Sequence, residues 1–102
     1  MPEPDVIETA QRVAGRVSAL PDVVELSAGA YGTIATLGAG LRVKGVAVRT
    51  TGIEVGVVVR YGRPLPEVAG DVRRTAAEAA GPDAGAVHVS VEDVVAGVAD
   101  GA

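Results

Sequence analysis

The chain has 102 residues, carries 13 acids against 9 bases for a net charge of −4, and holds 20 Val and 18 Ala but no Cys, Phe or Trp. Without cysteine there are no disulfides, thiolate nucleophiles or Cys-based zinc sites, and one histidine, His88, supplies no metal cluster. The clustered bases and stacking aromatics of nucleic-acid binding are missing, and the acid excess disfavours direct binding to an anionic membrane.

The length suits a single domain over 1–102, with a core at about 5–95 and a tail at 96–102. Met1-Pro2-Glu3-Pro4-Asp5 is acidic with no apolar run behind it, so no signal peptide is expected. Nothing approaches the ~20 apolar residues of a membrane span. A cytoplasmic location and no direct membrane insertion are expected.

Asp5 and Glu8 have capping-box spacing, and Val6, Ala10, Val13, Ala14 and Val17 then recur at intervals of three and four. A helix is expected over 5–19, ended by Pro21, with Glu8 and Arg12 paired one turn apart on its outer side. From Val23 the period becomes two: Val24, Leu26 and Ala28 alternate with Glu25 and Ser27, as in a strand. Gly29-Ala30 reads as a tight connection and Gly32–Leu37 as a weaker second strand.

Gly38-Ala39-Gly40 lacks the GxGxxG or GxxxxGK[ST] pattern and the following helix of a phosphate-binding loop, so a plain loop is expected. Leu41 and Val43 have the opposite parity to Val46 and Val48, which makes Gly45 a bulge or the true strand start. After Thr50-Thr51-Gly52, the residues Ile53, Val55, Val57, Val59 and Tyr61 give the clearest alternation in the chain. So short a connection predicts an antiparallel hairpin.

Gly62, Pro64 and Pro66 lead into a second helix with the stripe Leu65, Val68, Val72, Ala76 and Ala79, stopped at Gly81-Pro82. Gly70 inside it suggests close packing against the sheet. Val87, Val89 and Val91 form a last strand, although Val91, Val94, Val95 and Val98 also fit a helical turn. The order α-β-β-β-β-α-β predicts an α+β fold: a mostly antiparallel sheet of four to five strands with two helices on one face.

Three constellations hold residue types that chemistry can use. Glu67 and Asp71, one turn apart, resemble an acid–base pair, but helix position and Arg74 three residues on account for both. His88, Ser90 and Glu92 share a strand face, yet side chains two apart run parallel about 6–7 Å from each other, too far for a nucleophile–base hydrogen bond. Arg60, Arg63, Arg73 and Arg74 surround the strand-to-helix corner and offer an anion site. No catalytic residue, cofactor or metal is expected from the residues.

The stretch Val57-Val58-Val59-Arg60-Tyr61-Gly62-Arg63-Pro64-Leu65-Pro66-Glu67-Val68-Ala69 is a valine-rich strand ending in Tyr-Gly, followed by Pro-Glu-Val-Ala opening a helix. It resembles the alkaline shock protein family of bacterial envelope stress response proteins. Gly45-Val46-Ala47-Val48 is similar to that family's Gly-Val-x-Val strand, and Val87 through Asp93-Val94 is similar to its closing strand. The resemblance covers about residues 5–95, and short, arginine-rich members of this kind are typical of actinobacteria. Segment 29–42 departs from it, being shorter and richer in glycine.

The resemblance implies an abundant cytoplasmic protein without a catalytic motif, held at the membrane by a separate, small membrane-anchored protein and influencing envelope homeostasis. Docking is then expected through a sheet edge or helix face, onto a protein partner or a second copy, with Arg60, Tyr61, Gly62, Pro64, Pro66 and Glu67 as the interaction surface. The alternative is a small-ligand or anion-binding module at the arginine corner.

Overall fold

The computed structural model describes residues 5–96. Helix α1 spans Val6–Ser18 and begins where expected, with the Asp5 carboxylate accepting from the Glu8 N–H at 3.1 Å. Its buried stripe is Ile7, Ala10, Val13 and Val17, so Ile7 takes the inward place expected of Val6, which is exposed. Helix α2 spans Leu65–Ala80 and buries Val68, Val72, Ala76 and Ala79. Leu65, read as the first residue of that stripe, stands outside because the helix starts beyond the edge of the core. Arg12 does not pair with Glu8; its Nε donates to the Ala79 carbonyl at 2.8 Å and ties α1 to the last turn of α2. Buried Ala10, Ala76 and Ala79 leave little side chain between the two helices, so they pack closely.

The sheet is built around β5, Gly52–Arg60. Along one edge β6, Ala86–Val95, runs parallel to it for its whole length. The other edge is shared end to end. β4, Val46–Arg49, pairs antiparallel with Gly52–Val55, and β1, Val23–Leu26, pairs antiparallel with Val57–Val59. The hairpin expected across Thr50-Thr51 is the β4–β5 pair. Both helices cover the face carrying Ile53, Val55, Val57 and Val59, where these side chains, Val13, Val17, Val68 and Val72 form one buried cluster. Each such valine contributes about 1.5–3 kcal/mol relative to exposure. The α+β class and the helices on one face agree with the sequence pattern.

Two irregularities explain where the alternation misleads. A bulge between Val23 and Glu25 puts Val23 and Leu26 on the inner face, opposite Val59 and Val57, and leaves Val24 exposed, so Val24 is displaced from the expected alternation. A second bulge, between the Val57–Val91 and Val58–Asp93 pairs, shifts β6 by one residue and brings Val94 into the parity of Val87, Val89 and Val91. The three-residue step from Val91 to Val94 is thus a bulged strand, not a helical turn, while Val98 lies outside the described residues.

The stretch 41–49 is one extended run broken at Gly45, which has φ +88°. Before the break, β3 (Leu41–Lys44) pairs with β2 (Ala35–Gly38) in a separate two-stranded hairpin. Ala39 and Gly40 form its turn, both with positive φ (51° and 77°), the arrangement that matches strand twist in a two-residue loop. The expected strand at 32–37 starts only at Ala35, because 27–34 is a loop folded onto the helix-free face of the sheet. Ile34 is buried there, and a Cβ added to Gly56 would lie 3.0 Å from its Cδ1.

Candidate functional site

The strand-to-helix corner between β5 and α2 gathers the residues singled out in the sequence. The Tyr61 N–H donates to the Val95 carbonyl at 2.7 Å, carrying the parallel pairing one residue past β5. Gly62 then turns the chain at φ +150°, a conformation that favours glycine. Pro64 caps α2 and Pro66 lies in its first turn, where a missing N–H costs nothing. Glu67 stands in that same turn, favoured by the positive end of the helix.

Arg63 holds the corner together. Its guanidinium lies 2.7 Å from the Asp22 carboxylate, 2.9 Å from Asp71 and 3.4 Å from Glu67. Asp71 also accepts from Arg74, the i+3 pair the sequence suggested. Hydrogen bonds from Arg63 and Arg74 hold the Asp71 carboxyl below its ordinary range, and the same contact with Asp71, then Asp22, raises Arg63. From the other side, Arg60 Nε donates to the Pro21 carbonyl at 3.0 Å, and its N–H donates to the Asp22 carbonyl at 2.9 Å. The corner is therefore fastened both to α2 and to the α1–β1 connection.

Around this fixed base stand exposed apolar groups. Tyr61 is 77% exposed and Leu65 41% exposed. With Gly62, Arg63, Pro64 and Val94 they line an open groove of about 470 Å³. Of the four arginines read as an anion site, Arg63 and Arg74 are already engaged by carboxylates, and an incoming anion would face Asp22, Glu67 and Asp71 as well.

Asp22 lies 41 positions from Arg63 and belongs to no local motif, so no sequence pattern points to it. For Asp71 the sequence offers only the local partner Arg74. Only the packing of α2 beside the α1–β1 turn brings both carboxylates to one guanidinium.

His88, Ser90 and Glu92 lie on β6 as expected. Ser90 donates its hydroxyl to Glu92, which corrects the expectation that side chains two apart are out of reach, because Glu92 sits in the β6 bulge. His88 makes no hydrogen bond to either among the described residues. His88 instead borders an open groove of about 390 Å³ with Arg49, Thr51, Gly52, Ile53 and Glu54, in which Arg49 and Glu54 are ion-paired at 2.7 Å. Among the described residues, no group of three or more His, Asp and Glu side chains is placed to hold a metal, and no helix is long and apolar enough to cross a membrane.

No family model matches the chain, and no curated protein and no solved structure matches it.

Proposed function

We propose that this is a non-enzymatic interaction protein of the envelope stress response, held at the membrane through a small membrane-anchored protein that docks on the β5–α2 corner. The observation that supports this reading is the corner itself. Its backbone is locked by Arg60 and Arg63, while an exposed tyrosine and leucine flank a groove on it. Aromatic and apolar anchors on a rigid base are the usual centres of protein–protein affinity, because little ordering entropy opposes binding. The same residues carry the resemblance to the alkaline shock protein family. The anion-binding alternative draws less support, since Arg63 and Arg74 are held by carboxylates.

The test is co-sedimentation with native membranes at high salt, which screens charge contacts with lipid headgroups, before and after protease digestion of the membrane proteins. Recovery with intact membranes, lost on digestion and lost in a Tyr61→Ala/Leu65→Ala variant, is the expected result. Unchanged solubility in the presence of intact membranes, or full recovery of the variant, would sink the proposal.

A further inference from the structure

The negative net charge is unevenly distributed. Between Ser27 and Ile53 there is no Asp or Glu, and Arg42, Lys44 and Arg49 give this stretch +3, leaving −7 for the rest of the chain. Arg49 is neutralised by Glu54, so the uncompensated bases are Arg42 and Lys44, both on β3. The same stretch carries three of the most exposed large apolar side chains in the described residues: Tyr31 at 91%, Leu37 at 70% and Leu41 at 50%.

The hairpin register arranges them. Leu37 faces Arg42 and Ala35 faces Lys44, so these four share one face, whereas Gly38 and Leu41 share the other. That second face lies toward α1, where a Cβ on Gly38 would meet Ile7 Cγ1 at 3.0 Å. Arg42 donates to the Gly32 carbonyl at 3.2 Å, which places the loop bearing Tyr31 beside the outer face.

From this we infer that the β2–β3 hairpin docks peripherally on an anionic lipid surface, its tip leucines entering the acyl boundary while Arg42 and Lys44 meet headgroup phosphates. Leu37 on the outer face and Leu41 beside the two-residue turn both stand exposed at the tip, where one apolar layer can take both at once. Arg42 and Lys44, set back from the Ala39-Gly40 turn, can extend apolar stems along the hairpin and reach outward with their charges. Tyr31 has the amphipathic ring favoured at that interface. The acidic remainder is repelled by the same surface and turns the hairpin toward it. The acid excess that argued against membrane binding is absent from the stretch 27–53 that carries the hairpin. The inference concerns a surface distinct from the β5–α2 corner and needs no protein partner.

The experiment uses the full chain and protein-free vesicles of phosphatidylcholine, with or without phosphatidylglycerol. Co-sedimentation is expected with the phosphatidylglycerol vesicles only, and it weakens at high salt as charge is screened. Leu37→Ser/Leu41→Ser lowers the recovered fraction about tenfold, Lys44→Glu lowers it also, and Tyr61→Ala/Leu65→Ala leaves it unchanged. These positions are exposed, and circular dichroism checks that each variant is folded. Absence of wild-type binding to the anionic vesicles would overturn the inference. So would equal binding by the double leucine variant, or retention on an immobilised acidic polypeptide with none on the anionic vesicles, which would assign the hairpin to a protein partner.

Discussion

The Gly56 N–H donates to the Gly45 carbonyl at 2.9 Å, and its own carbonyl accepts from the Ser27 N–H at 2.9 Å, so this one residue bridges the two segments that share an edge of the central strand. On one side of it β5 pairs with β4, on the other with β1. Both glycines are demanded by close approach. A Cβ on Gly56 would run into the Ser27 carbonyl oxygen, and one on Gly45, already at φ +88°, would stand 2.5 Å from Leu26 Cβ. Gly56→Ala and Gly45→Ala are each expected to lower stability by more than about 2 kcal/mol. Urea denaturation checks this, and a midpoint unchanged from wild type would show that the strand exchange tolerates a side chain.

Thr36 is the buried polar residue of the core margin. Its hydroxyl donates to the Val46 carbonyl at 2.7 Å and accepts from the Val48 N–H at 3.0 Å, serving backbone groups of β4 that β5 leaves free. Thr36→Val keeps the shape and removes both bonds, so it is expected to cost about 1–3 kcal/mol, the penalty of leaving buried backbone groups unsatisfied. Thr36→Ser, which keeps the hydroxyl, is expected to lose less. Equal losses for the two substitutions would assign the effect to packing.

Gly15 and Gly70 lie within α1 and α2, and a Cβ added at either meets nothing within 4 Å. Gly70 therefore does not mark a close approach to the sheet, contrary to the sequence expectation. Gly15→Ala and Gly70→Ala are each expected to stabilise by about 1 kcal/mol, with effects that add because the sites lie on different helices. Thermal melts of the single and double variants measure this, and a lower melting temperature in either would contradict it.

Asp71 is held below its ordinary carboxyl range by Arg63 and Arg74. The unfolded chain, lacking these partners, takes up the proton first on acidification. The contribution to stability is therefore complete above the ordinary value of 3.8 and fades as pH falls below it through the folded-state value. Urea midpoints from neutral pH down to about pH 3 should fall less steeply for Arg63→Met than for wild type, because the variant has lost the largest cause of the shift. Parallel curves would assign the acid sensitivity to other carboxylates. The effect is modest, since the groups are partly exposed and screened by solvent.

Much of the fold is written in local periodicity. Asp5 with Glu8, the alternation from Ile53 to Val59, the turn at Thr50-Thr51 and the stop at Gly81 need only neighbouring residues to act, and each lies where the pattern put it. The errors fall where distant chain decides. Val24 loses its inward place to Val23 through a bulge against β5, and Val94 gains one through the bulge near Glu92.

By itself the sequence determined the class of elements, their order and the chemistries excluded by lacking cysteine and having one histidine, because composition and short-range pattern carry that information. Only the tertiary structure decided that β1 and β4 share one edge of β5 while β6 takes the other. It also decided that Asp22 and Asp71 meet Arg63, and that Leu37 lies opposite Arg42 on one face of the β2–β3 hairpin. Pairing across such separations depends on which surfaces exclude water together, and no local window of residues records that.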